Sequence, residues 1–185
     1  MSNGLNSFLF STPEMTRVFS QEGQLRAMMR FEWALMCALE KHGIAEAGSS
    51  AVMESLVDAD FGAGFVDVET IEREAKDAGN IAIPFVWQLT AKVKGRSESA
   101  ARAVHLGATS QDVLDSALVL QMREGVKLLD EAIEELDRAL VIQVRAHRHT
   151  MLLGRTWLQP GPPATLGLKL AGTLAALRRS GKKHP

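Results

Sequence analysis

Gln111 to Arg148 reads QDVLDSALVLQMREGVKLLDEAIEELDRALVIQVRAHR, and this stretch decides the fold class. It has no proline and one internal glycine, Gly125. As one helix, its ~38 residues would extend about 55 Å. Ordinary globular helices are far shorter, so the length suits a long bundle. Its apolar set is Val113, Leu114, Ala117, Leu118, Leu120, Val126, Leu128, Leu129, Ala132, Ile133, Leu136, Leu140 and Val144. That set is wider than one stripe, and a helix apolar on two sides needs neighbours on two sides.

Upstream, the pattern is also helical. Thr12-Pro13-Glu14 combines a hydroxyl cap, a proline at the first helical position and an acid in the first turn. A longer helix follows Ser20, carries Leu25, Met28, Met29, Phe31, Leu35, Met36 and Leu39, and stops at His42-Gly43. Shorter helices are expected at 51–57, 68–78, 84–94 and 98–104. The chain turns polar between Lys94 and Ser110, with Gly95, Ser97, Ser99 and Gly107, and a domain boundary is placed there. Downstream, Gly154, Pro160, Gly161, Pro162 and Pro163 read as a loop between antiparallel helices. A last helix is expected from about 164 to 179, then a polar tail from Ser180. The chain has no tyrosine, few β-branched runs and abundant Ala, Leu, Met, Glu and Arg, which argues against strands. The expected fold is all-α. It comprises an N-terminal helical domain over residues 1–110, the first helices of a long bundle over 111–180, and a disordered tail over 181–185.

Composition excludes several function classes. The chain of 185 residues is 46% hydrophobic and 23% charged, with a net charge of −1, as in an ordinary soluble globular protein. There is no basic excess to hold nucleic acid or an anionic membrane. Met1 to Phe10 has no basic residue ahead of a long apolar run, so no signal peptide is expected. No run of 18 or more apolar residues could span a bilayer. The single cysteine, Cys37, excludes an intramolecular disulfide and fits a reducing cytoplasm.

Two segments carry chemistry. The first is Val104-His105-Leu106-Gly107-Ala108-Thr109-Ser110-Gln111-Asp112, at the mouth of the long helix. Unpaired amides, the helix dipole and the hydroxyls of Thr109 and Ser110 would together seat a carboxylate. Locally, the same residues also read as a plain helix start, with Ser110 the cap and Asp112 complementing the dipole. The second is Gly154-Arg155-Thr156-Trp157-Leu158-Gln159-Pro160, continuing through Pro163, Thr165, Gly167 and Lys169. By itself it could be only an interhelical turn.

Together the segments resemble two sequence blocks of the fumarase/aspartase superfamily. The first block has the pattern His-x-Gly-x-Thr-Ser-x-Asp. The second has Gly-Arg-Thr-His-x-Gln followed by Pro, Thr, Gly and Lys. Ser11-Thr12-Pro13-Glu14-Met15 and the helix ending Ala38-Leu39-Glu40 also resemble the superfamily's adenylosuccinate lyase branch. Trp157 stands where the lyases carry histidine. That replacement, with Gly79-Asn80 and Pro84 followed by Gln88-Leu89-Thr90, resembles the bacterial carboxymuconate cycloisomerases. An indole has one N–H donor and cannot serve as a base, so lyase chemistry that depends on an imidazole there is disfavoured.

The resemblance implies a cytoplasmic homotetramer with a central five-helix bundle and sites shared between subunits. It also implies a small dicarboxylate or tricarboxylate substrate, with no cofactor and no metal. The implied activity is lactonisation in the protocatechuate branch of aromatic degradation. Carried over by residue, Thr109 and Ser110 bind a substrate carboxylate, and Thr156 and Gln159 supply further donors. Trp157 shapes the pocket. His105 binds substrate or assists proton transfer, making it and Ser110 the catalytic candidates. Arg17 is a candidate carboxylate ligand, against the reading of a solvated helix-face arginine.

The superfamily's third block, a serine-bearing loop, is not found. Gly48-Ser49-Ser50-Ala51-Val52-Met53 looks like it but lacks the proline, lysine and asparagine, and reads as a helix cap. The chain is therefore expected to be incomplete and inactive alone. Two alternatives stand beside this: a non-catalytic, self-associating helical fragment, and an adenylosuccinate-type lyase. His147 and His149 diverge on a helix and make a poor metal pair. Cys37 reads as core.

Overall fold

The computed structural model describes residues 9–57 and 66–181. Residues 1–8, where the absence of a signal sequence was read, and 182–185 of the expected tail lie outside the described residues. The chain falls into two compact units, Met1–Glu124 and Gly125–Pro185.

In the first unit, α1 is Pro13–Val18, α2 Gln21–Lys41, α3 Ser49–Val57, α4 Val68–Ala78, α5 Ala82–Lys94 and α6 Glu98–Ala101. The long helix α7, Ser110–Ala146, begins here. The hydroxyl cap expected at Thr12 is made, and Ser20 caps α2 in the same way. Thr12 Oγ1 accepts the Met15 amide at 3.2 Å, and Ser20 Oγ accepts the Gly23 amide at 3.0 Å. Helix α2 ends at His42, also as read. The α6 helix stops short of the expected 104 and gives way to successive turns up to Gly107.

The core of this unit is built from one face of each helix. Helix α2 buries Leu25, Met28, Met29, Glu32, Met36 and Leu39. Those positions recur at three- and four-residue intervals, which keeps them on one side. Against them lie Met53 and Leu56 from α3, Ile71 from α4, and Phe85, Leu89 and Val93 from α5. Val113 and Ala117 of α7 are buried one turn apart. Gln121, one turn further on, donates to the Val18 carbonyl at 2.7 Å and so closes the end of α1. Serines 49 and 50, read as part of the cap before a helix at 51–57, instead begin α3, and a carboxylate caps it. Glu40 accepts the Gly48 and Ser50 amides at 2.8 and 2.7 Å.

The second unit keeps the all-α class but adds one small two-stranded hairpin where the sequence reading placed a loop. The rest of α7 is followed by β1, Met151–Thr156, and β2, Gln159–Thr165, paired antiparallel, then by α8, Leu166–Gly181. The supposed loop is a hairpin with Trp157 and Leu158 as its two-residue turn. Prolines 160, 162 and 163 disguise it, since they donate nothing to a ladder and argue against a central strand. A two-stranded ribbon has two free edges, so it accepts them. Pairing shifts between Leu153 and Arg155, where Gly154 faces Gly161 and Pro162. A Cβ at Gly154 would overlap the Pro162 carbonyl, so this bulge requires glycine. Helix α8 runs through Ser180 and Gly181, both assigned to the tail by sequence.

The wide apolar set of α7 is only partly covered. Leu118, Val119 and Met122 are exposed in the first unit, and Val126, Leu129, Leu136 and Ile142 in the second. No helix among the described residues is long and apolar enough to cross a membrane.

Candidate active site

In the first unit the motif opens on a strained residue. His105 has φ 56°, a left-handed conformation uncommon outside glycine. One buried side chain holds it there. The Glu32 carboxylate, from the apolar face of α2, accepts the His105 backbone N–H at 3.1 Å and meets its ring Nδ1 at 2.6 Å. Burial pushes the Glu32 carboxyl above its ordinary value, although the bonds from His105 pull against that. Every buried side-chain nitrogen or oxygen among the described residues has a partner. Nε2 of His105 has no hydrogen-bond partner among the described residues.

Sequence reasoning did not single out Glu32. Its signal was an acid inside an otherwise apolar stripe, between Met29 and Met36.

The mouth of α7 is a capping box whose cap is Thr109, not Ser110. Asp112 Oδ2 accepts the Thr109 N–H at 2.7 Å and its hydroxyl at 2.8 Å, while Thr109 Oγ1 receives the Asp112 N–H at 3.3 Å. These bonds hold the exposed Asp112 carboxyl below its ordinary value. The Thr109 hydroxyl and amide are thus already engaged. Ser110 is the first helical residue and half-buried, and its hydroxyl makes no bond among the described residues. Its amide and that of Gln111 are among the helix-start N–H groups that have no intrahelical partner. Arg17 lies on α1 with an exposed side chain.

In the second unit the other motif residues gather at the hairpin tip. Thr156 and Gln159 are the last pair of the ladder, with Trp157 and Leu158 between them at φ 47° and 61°. Trp157 is 94% exposed. An open hollow of about 280 Å³ is lined by Leu153, Arg155, Thr156, Trp157, Leu158, Gln159 and Pro160. Two further motif positions serve the scaffold. Thr165 Oγ1 caps α8 by accepting the Leu168 amide at 3.1 Å. Gly167 lies against the Arg148 backbone, where a Cβ would fall 2.8 Å from Arg148 Cα. Its N–H donates to the His147 carbonyl at 2.9 Å, and the Leu166 N–H to the Thr150 carbonyl at 2.9 Å. No group of three His, Cys, Asp or Glu side chains among the described residues is placed to hold a metal ion.

The family described as Lyase matches residues 7–184. The chain belongs to this lyase family, the fumarase/aspartase superfamily. Among relatives in the superfamily, the 3-carboxy-cis,cis-muconate cycloisomerase of Pseudomonas aeruginosa is 42% identical over 178 residues, covering 96% of this chain and 38% of that protein. The crystal structure of β-carboxy-cis,cis-muconate cycloisomerase from Acinetobacter calcoaceticus superposes with a TM-score of 0.90 at 36% identity, over 96% of this chain and 41% of the other. That of the 3-carboxy-cis,cis-muconate lactonizing enzyme from Pseudomonas putida gives 0.89 at 38% identity, over 97% and 40%. The chain spans about two fifths of the length of these relatives.

Proposed function

We propose that this chain supplies about two fifths of a cycloisomerase that closes 3-carboxy-cis,cis-muconate to 4-carboxymuconolactone, as the names of its relatives suggest. The observation that carries the reading is Trp157 at the hairpin tip. It presents an indole, almost fully exposed, where the superfamily's lyases place an imidazole.

In this reaction a substrate carboxylate oxygen adds to one carbon of a double bond. The electron pair moves to the neighbouring carbon, beside a second carboxylate, and that carbon takes up a proton. Charge develops on the second carboxylate, so the site needs donors aimed at it beforehand. The Ser110 hydroxyl, with the Ser110 and Gln111 amides, fits that role at the positive end of α7. Thr156 and Gln159 add donors, and Trp157 gives an apolar wall. His105, with Nε2 unbonded by any described residue, is the proton-handling or substrate-binding group. Because ring closure joins two ends of one molecule, much of the rate comes from positioning. Thr109 contributes indirectly, by fixing the helix start on which Ser110 sits.

The exposed apolar residues of α7 support assembly with further helices of the same enzyme, and a homotetramer in the cytoplasm belongs to the same proposal. So does a domain boundary at residue 110. By itself the 185-residue chain is expected to show no lactonisation. A chimaera tests the reading: this chain replaces the corresponding part of the Pseudomonas aeruginosa enzyme. Loss of the conjugated diene absorbance of 3-carboxy-cis,cis-muconate is then followed. Turnover, with a fall of at least about 100-fold on Ser110→Ala, supports the proposal. A folded chimaera that leaves the muconate unchanged overturns it.

A further inference from the structure

We infer that Glu32 is a positioning residue: its buried carboxylate holds His105 in the Nδ1–H tautomer, leaving Nε2 as the nitrogen that takes up the proton which ring closure then requires at carbon. The inference rests on reading His105 as a site residue. It adds a partner 73 positions away in sequence.

Three observations carry it. First, one carboxylate makes two bonds to one residue, to the backbone N–H at 3.1 Å and to Nδ1 at 2.6 Å. This grip fixes the backbone in its left-handed conformation and the ring plane together. Second, the Glu32 side chain is fully buried while that of His105 is 18% exposed. A carboxylate needed only as a helix cap would be satisfied at the surface, as Glu40 is at α3. Burying one costs free energy unless it is fully hydrogen-bonded, and here both oxygens are used. Third, the bonding is one-sided. Nδ1 is tied to Glu32, while no described residue bonds Nε2.

A carboxylate on one ring nitrogen sets the tautomer and makes the other nitrogen more basic, as in carboxylate–histidine pairs generally. When Nε2 takes a proton, the ring becomes an imidazolium whose charge the Glu32 carboxylate balances. The reverse arrangement is chemically distinct. A protonated Glu32 would donate to Nδ1 and leave Nε2–H as a donor.

Nitrogen-15 NMR of the 185-residue chain, labelled at histidine and assigned by a His105→Gln control, separates the two. The expected result is a neutral His105 protonated at Nδ1, with its ring proton shifted far downfield by the carboxylate. In Glu32→Gln the amide NH₂ opposes one of the two donors. The downfield proton is then lost and His105 shifts toward the Nε2–H form that free imidazole side chains favour, while Glu32→Asp restores part of the Nδ1–H population. A wild-type His105 protonated at Nε2 overturns the inference without any variant. So does an unchanged Nδ1–H signal in a Glu32→Gln chain whose circular dichroism shows it folded. The measurement needs no turnover, so it can fail while the cycloisomerase reading stands, and the reverse.

Discussion

Gly167 and Gly172 lie five residues apart in α8, and an alanine at each is expected to act in opposite directions. In an unconstrained helix, glycine to alanine gains about 1 kcal/mol. At Gly172 nothing lies within 4 Å of the position a Cβ would take, so Gly172→Ala should realise that gain. For a chain of this size that raises Tm by about 2–4 °C. At Gly167 the same carbon would fall 2.8 Å from Arg148 Cα and 2.9 Å from Arg148 N and His147 C. These are backbone atoms and cannot rotate aside. Relief requires the start of α8 to move off the end of α7 by roughly half an ångström, which sacrifices close contact along the seam. It also stretches the amide bonds from Leu166 and Gly167 to the Thr150 and His147 carbonyls. Overpacking of this kind costs about 1–3 kcal/mol. Added to the weakened hydrogen bonds, that outweighs the propensity gain, for a net loss of about 1–2 kcal/mol. Urea unfolding followed by far-UV circular dichroism reads both variants, with an unchanged slope showing that stability alone has moved. A Gly167→Ala midpoint at or above that of Gly172→Ala would refute the reasoning.

The two hydroxyls at the mouth of α7 should separate on mutation. Thr109→Ala removes a cap and costs about 1 kcal/mol in the same urea assay, whereas Ser110→Ala changes stability by less than about 0.5 kcal/mol. Equal losses would contradict the capping box. Leu158→Gly should stabilise the hairpin by about 1 kcal/mol, because glycine adopts φ 61° without a Cβ penalty. A lower melting temperature for that variant would count against a strained turn. Acid should weaken the fold through Glu40, Asp67, Asp112 and Asp137, whose hydrogen bonds hold their carboxyls below ordinary values. A lowered folded value means that the stabilisation is complete above the unfolded carboxylate range, about 3.9–4.3, and is lost as pH falls through the folded values. Glu32 acts oppositely, its raised value favouring the folded state as pH falls. Acid titration by circular dichroism, comparing wild type with Asp137→Asn, should show a smaller acid-induced loss in the variant. Parallel curves would exclude Asp137 and its Arg178 partner from the effect.

The amino-acid sequence by itself determined the helices and the family. Caps at Thr12 and Ser20, the proline-free run into α7 and the apolar period are local signals, because a helix bonds each residue to one four positions away. The His105-to-Asp112 and Gly154-to-Lys169 segments, with Trp157, were legible for the same reason: a motif is a local string. Tertiary structure alone decided the rest. The Glu32–His105 grip joins residues 73 apart, and its partner looked from sequence like one more position on α2. The hairpin was hidden because prolines that forbid a central strand are harmless in a two-edged ribbon. Thr109 and Ser110 are adjacent in sequence, and only the bond geometry around Asp112 shows which is engaged and which is left open. Pairings of this kind depend on which surfaces folding brings together, and that information lies in the packing, not in any local period.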